Sequence, residues 1–230
     1  MKKFLVLLSI VLLVGCAEKS DGKKASAEEK TDPLAMTESS VAATVPESFF
    51  NFEKDQIGAV PKGWSHQFTG NWKVTDDNGN KVLEQTSSNH SGSYFNVIVN
   101  DDLNHKDVAI SVKFKGIKGN EDQGGGPVWR YKDIKNYYIA RANPLENNYR
   151  VYKVINGHRK ELKSANIDIK TGKWYDLKIE MKGNRIKCYF NGKLELETTD
   201  DSFTGAGKVG LWTKADAVTC FDDMNVKGGE

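Results

Sequence analysis

The chain has 230 residues, 28% of them charged, yet its formal net charge is only +2. Such a balance, with no basic tract interleaved with aromatics, excludes the electrostatic footprint of a nucleic-acid-binding protein, and no strongly acidic partner surface follows from it either. The three cysteines are too few for a disulfide framework.

Met1-Lys2-Lys3 and the apolar run at 4–14 have the form of an export signal. Eleven residues are too few to cross a bilayer core as a helix, so the segment does not read as a membrane span. Leu13-Val14-Gly15-Cys16 resembles the bacterial lipobox, which implies cleavage before Cys16 and lipid attachment to it. The expectation is a signal peptide at 1–15 and a lipid-anchored protein of the bacterial cell envelope. Ala17 lacks the aspartate tied to inner-membrane retention, which points to the outer membrane if the source is Gram-negative. Residues 16–46 are rich in Ala, Glu, Lys, Ser, Thr and Asp and have no aromatic residue. Such a segment buries too little surface to offset its ordering entropy and reads as a tether. One domain, 47–230, remains.

From Phe49 onward, short alternating runs are broken by Gly, Asn and Asp, the pattern of an all-β protein. Val108, Ile110, Val112 and Phe114 alternate with polar residues, as do Tyr175, Leu177, Ile179 and Met181. Between these runs, the segment 124–154 reads as three antiparallel strands. Gly124-Gly125-Gly126-Pro127 marks the entry to the first strand, 133–136 forms a four-residue loop and 143–148 a six-residue loop. That register sets Arg130 opposite Ile139, Arg141 opposite Arg150 and Ile139 opposite Tyr152. One face then carries Arg130, Tyr137, Ile139, Arg141, Arg150 and Tyr152, and the other, core-like, carries Trp129, Tyr131, Tyr138, Ala140, Ala142, Tyr149 and Val151. A five-residue first loop would separate Arg130 from Arg141. Further on, the alternation of Ile186, Cys188 and Phe190 selects a three-residue turn through Asn191-Gly192-Lys193, with a bulge, which puts Leu194 and Leu196 on their face. Cys188 and Cys220 fall on opposite parities relative to their apolar neighbours, and both are expected as free thiols.

The opening Phe50-Asn51-Phe52-Glu53 with Gly58, Pro61, Gly63 and Trp64, and the later Gly172-Lys173-Trp174-Tyr175, Asn191-Gly192-Lys193, Gly207-Lys208-Val209-Gly210-Leu211-Trp212 and Phe221-Asp222-Asp223, carry a resemblance. Over 48–228 the chain resembles LamG-like and three-keto-disaccharide hydrolase-like domains, which implies an all-β, concanavalin A-like jelly-roll sandwich of two antiparallel sheets. The resemblance leaves open a structural Ca²⁺ near the paired first and last strands, with Glu53 and Asp222 as oxygen donors, and implies no required cofactor. Activity does not follow from it, because this architecture hosts binding modules, glycosidases and adhesion domains alike.

Laminarinase-type jelly rolls need a Glu-x-Asp-x-Glu pattern, which is absent, and the same-face pair Asp176 and Glu180 is four residues apart. His66, His90, His105 and His158 are scattered, and no Gly-x-Ser-x-Gly occurs. Recognition remains: Arg130, Tyr137, Arg141, Arg150 and Tyr152, joined by Trp212, supply guanidinium forks and rings suited to a glycan or glycoside. Arg141 across from Arg150 requires an anion or acidic side chain between them. The competing reading is an internal network in which Glu84 or Asp222 neutralises the arginines. The function expected is glycan or glycoside binding by a lipid-anchored domain, with a glycoside-processing enzyme of the three-keto-disaccharide hydrolase type, or an adhesion module, as alternatives.

Overall fold

A computed structural model describes residues 47–229. The signal segment, Cys16 and the tether lie outside the described residues.

Two antiparallel sheets make up the domain. The first contains β1 (Glu47–Phe50), β3 (Trp72–Asp77), β4 (Asn80–Gln85), β6 (Asp107–Lys118), β11 (Tyr175–Lys182), β12 (Arg185–Phe190), β13 (Lys193–Thr199) and β15 (Val218–Gly229). The second contains β2 (Trp64–His66), β5 (Phe95–His105), β7 (Gly125–Asp133), β8 (Asn136–Asn143), β9 (Asn148–Ile155), β10 (His158–Asn166) and β14 (Gly207–Lys214). Strand order is β13-β12-β11-β6-β15-β4-β3, with β1 on β15, in the first sheet and β10-β9-β8-β7-β14-β5-β2 in the second. No helix occurs among the described residues. This is the concanavalin A-like jelly-roll sandwich that the sequence implies.

The alternating runs bury the faces expected of them. Val108, Ile110, Val112 and Phe114 of β6 meet Leu177, Ile179 and Met181 of β11, and all seven are buried. They pack against Trp129, Tyr138, Ala140, Tyr149 and Val151 of the second sheet in one inter-sheet core. Each such aliphatic or aromatic side chain contributes about 1.5–3 kcal/mol by leaving water. Cys188 and Cys220 are free and buried.

Three local expectations change. The glycines at 124–126 stand at the strand entry as expected, but Gly125 and Gly126 already belong to β7, and a Cβ on Gly126 would stand 2.0 Å from the Ala140 carbonyl oxygen. Backbones approach too closely there for any side chain, which is why glycine sits inside a strand. At Asn191-Gly192 the turn has two residues, both with positive φ, and Phe190 pairs with Lys193. A bulge beyond Cys188 then restores register, so Leu196 is buried opposite Cys188 while Leu194 stays exposed.

The third concerns β7 and β8. Asp133 pairs with Asn136, leaving a two-residue loop, while Val128 pairs with Ile139 and Trp129 with Tyr138. The irregularity between Trp129 and Asp133 is centred on Arg130, whose φ is +45°. A non-glycine residue adopts that conformation only when tertiary contacts hold it. It turns Arg130 away from Tyr137 and brings Tyr131, expected in the core, to the opposite face, where its ring lies 5.4 Å from that of Tyr137.

Candidate functional site

The outer face of the second sheet is where chemistry gathers. Between β8 and β9 the expected register holds: Arg141 faces Arg150, Ile139 faces Tyr152 and Tyr137 faces Val154. Trp212 of β14 joins Tyr137, Ile139 and Val154 in a second apolar cluster on that face. Five of the six expected residues, Tyr137, Arg141, Arg150, Tyr152 and Trp212, therefore share one side of the sheet. Arg130 does not. Its guanidinium donates to the backbone oxygens of Lys106 at 2.6 Å, Phe203 at 2.5 Å and Gly183 at 2.7 Å and pairs with Asp107 at 3.1 Å. Those partners take four of its five donors, so Arg130 ties the sheets' rim together, away from the face that carries the other five.

Arg141 is 1% exposed, and its Nη1 stands 2.7 Å from Oδ2 of Asp122, itself 1% exposed. The requirement for an acid between Arg141 and Arg150 is met by Glu146 in the turn between β8 and β9, with Oε2 3.0 Å from Arg141 and 2.9 Å from Arg150. Asp122 and Glu146 neutralise these arginines, as the competing reading of an internal network has it but with other acids, since Glu84 and Asp222 bind Thr75 and Asn80. Asp122 reaches the face from the loop before β7, where the Asp216 carboxylate accepts backbone N–H bonds from Asn120, Glu121 and Asp122 in succession. Burial pushes the Asp122 carboxyl above the usual range, against the pull of the Arg141 guanidinium and the Gly124 amide. Burial likewise presses Glu146 upward, but its bond from Asn148 and the two arginines hold it below the usual range.

A further residue completes the face. Arg159 of β10 pairs with Val154, and its guanidinium lies 4.5 Å from the ring centre of Tyr152, 5.6 Å from Phe95 and 5.7 Å from Trp212. Its Nη1 is buried without a hydrogen-bond partner, as are Arg141 Nε, Tyr137 Oη and Trp212 Nε1 on the same face. Tyr137 is pushed up by burial, and Trp212 lies close enough to oppose that shift, though the two groups form no bond of normal geometry. Sequence reasoning missed Arg159. The signal is Asn156-Gly157, both at positive φ, a two-residue hairpin turn that sets β10 in register with β9 and puts Arg159 on the face of Val154 and Tyr152.

Among the groups around Arg141 and Arg159, charge balances. Four cations, Arg141, Arg150, Arg159 and Lys214, meet four carboxylates, Asp122, Glu146, Glu161 and Glu121. A balanced cluster with unspent donors beside aromatic rings suits a neutral, hydroxyl-bearing molecule better than an anion.

The Glu53 and Asp222 pair does not fit a Ca²⁺ shell, which needs six to eight oxygens. Glu53 Oε1 accepts the Lys81 amide at 3.0 Å, and Lys81 Nζ takes the Glu53 and Asp55 carbonyl oxygens at 3.0 and 2.9 Å. An ammonium thus holds the oxygens a metal would use. Asp222 keeps one buried, unpartnered oxygen, but among the described residues no three His, Cys, Asp or Glu side chains converge.

The family of 3-keto-alpha-glucoside-1,2-lyase-like domains matches the chain over residues 46–227. A 109-residue stretch is 30% identical to levanase of Bacillus subtilis (strain 168), covering 46% of this chain and 16% of that enzyme. The chain thus spans only a small part of the levanase it matches. Among solved structures, the carbohydrate-binding module CBM66 from Bacillus subtilis superposes with a TM-score of 0.62 at 24% identity, over 72% of this chain and 96% of that one. A Bacillus licheniformis beta-glucanase superposes with a TM-score of 0.55 at 15% identity, over 81% of this chain and all of that one (100%).

Proposed function

Since the chain belongs to the family of 3-keto-alpha-glucoside-1,2-lyase-like domains, we propose that it binds a neutral glycan through the outer face of the second sheet. The observation that carries this reading is the Arg159 guanidinium, stacked on Tyr152 with a buried donor unspent, beside the orphaned donors of Tyr137 and Trp212. Arg159 donates to sugar hydroxyls, Glu146 accepts from them and the side chain of Phe95 meets the apolar side of the sugar, while Tyr137, Tyr152, Trp212 and Asp122, all buried, form the floor beneath them. Arg141 and Arg150 set the two carboxylates and need not touch the ligand. The levanase match makes levan the first glycan to test. A lyase or hydrolase reading would need an unengaged acid–base pair, whereas Asp122 and Glu146 both hold Arg141, which favours binding. The lipobox resemblance at Cys16 supports display from the cell envelope on a lipid anchor, probed by fatty-acid labelling of wild type and Cys16→Ala.

Isothermal titration of the purified protein with levan tests the site. Arg159→Met keeps the apolar stem and removes the donors, so affinity falls about 10- to 100-fold, the worth of a charge-assisted hydrogen bond. Arg185→Met, on the other sheet, leaves affinity unchanged. Equal binding by wild type and Arg159→Met contradicts the proposal.

A further inference from the structure

Beyond the second sheet's edge lies a group of rings that neither the core nor the Arg159 site uses. Phe68 is 63% exposed and Tyr94 48% exposed, and they rank with the most exposed large apolar side chains among the described residues. Their rings are nearly parallel, 6.5 Å apart with 6° between planes, and His90 stacks on Tyr94 at 5.2 Å and 20°. Exposed rings held in parallel form a platform, and stacking on each other removes only part of their apolar surface from water.

Position ties the platform to the site. Phe68 follows Gln67, whose amide oxygen accepts a bond from Tyr131 of the outer apolar cluster at 3.2 Å. Tyr94 precedes Phe95, whose ring lies 5.3 Å from that of Trp212 and beneath Arg159. Thr69 locks the two segments together, its hydroxyl bonding to the Phe95 carbonyl oxygen at 2.9 Å and to Asn96 at 2.7 Å. The loop carrying His90 is pinned beside the site, where Gly92 donates to Glu121 at 2.7 Å and Lys214 bridges Glu121 at 3.3 Å and Asp122 at 3.9 Å.

We propose that Phe68, Tyr94 and His90 form a second subsite that stacks against a sugar unit further along the same glycan chain held at Arg159. The inference rests on the reading of the Arg159 site as a glycan site. A few rings flanked by Ser87, Ser88, Asn89, Ser91 and Ser93 match a sugar ring in extent. They fall far short of the roughly 800 Å² that each partner contributes to a stable protein interface. The flanking hydroxyl and amide groups also suit the rim of a sugar, which is polar around its edge and apolar on its faces.

Titration of the full chain with fructose and with levan-derived oligosaccharides of increasing length tests it. Wild type gains affinity with length. Phe68→Ala/Tyr94→Ala binds fructose as wild type does but loses the gain, about tenfold at the longest oligosaccharide, a ring-stacking contribution. Both side chains are exposed, so an unchanged melting temperature accompanies the loss. The subsite is overturned if wild type shows no dependence on length, if the double variant keeps it, or if that variant loses fructose to the same extent. Failure of the Arg159 reading looks different: wild type then binds no member of the series, or Arg159→Met binds fructose normally, and the subsite falls with it.

Discussion

Replacing Arg141 by Met separates the electrostatics of the outer face from its packing. Methionine retains most of the apolar stem, so the cost comes from the carboxylates left behind. Glu146 loses little, because its side chain is 38% exposed and still has Arg150 at 2.9 Å. Asp122, 1% exposed, loses its 2.7 Å partner and keeps only the Gly124 amide at 2.7 Å and Lys214 at 3.9 Å. Removing one partner of a buried pair costs about 3–5 kcal/mol, and Lys214 places this case near 3. For a domain of this size that is a fall in melting temperature of roughly 6–12 °C. The sign with pH is also set. Burial already holds the Asp122 carboxyl above its ordinary range, and losing the guanidinium raises it further. A raised carboxyl binds its proton more tightly when folded, so stability falls as pH rises through the folded pKa. Urea unfolding followed upward in pH from the ordinary carboxylate range should therefore show Arg141→Met losing stability more steeply than wild type. Adding Asp122→Asn should remove that slope and recover part of the loss. A single variant within about 1 kcal/mol of wild type at every pH would refute the reasoning.

Three further outcomes are expected of the same domain. Burial raises the Asp200 carboxyl, but bonds from Lys153, Ser202 and the Tyr138 hydroxyl outweigh it and hold the pKa at about 2 instead of 3.8. The stability Asp200 contributes is full above the ordinary value and is lost as pH falls toward the folded one, so Asp200→Asn should flatten the acid limb of a urea-midpoint profile; an unchanged limb contradicts this. Burial pushes the Cys188 and Cys220 thiols upward, so both should resist a thiol reagent in buffer and react in denaturant; rapid native labelling or a mapped disulfide would count against the core packing. Because the Lys81 ammonium occupies the Glu53 and Asp55 carbonyl oxygens, EDTA should leave the melting temperature unchanged while Lys81→Met lowers stability by about 1–2 kcal/mol; a rise in melting temperature with added Ca²⁺ would overturn that account.

Whatever depended on local pattern was legible in the sequence. The alternation at Val108–Phe114 and Leu177–Met181 needs only the period of a pleated strand, and it buries those positions. Arg141 meets Arg150 because Asn143 and Asn148 bracket the turn, so that half of the face could be read from loop length. Arg130 could not, since its positive φ is held by Lys106, Gly183 and Phe203, residues distant in sequence. Asp122 was illegible for the same reason: the carboxylate of Asp216, far along the chain, folds its loop over Arg141. Arg159 differs, because Asn156-Gly157 announces a two-residue hairpin whose register places it, and that signal is present in the sequence.

The most direct test of the account is a crystal structure of the protein with a levan-derived oligosaccharide. A sugar ring seated on the outer face of the second sheet, hydrogen-bonded by Arg159 and flanked by Phe95 and Glu146, is the predicted result. A sugar ordered on the Lys113- and Lys178-bearing surface of the other sheet, with the Arg159 face untouched, would contradict it.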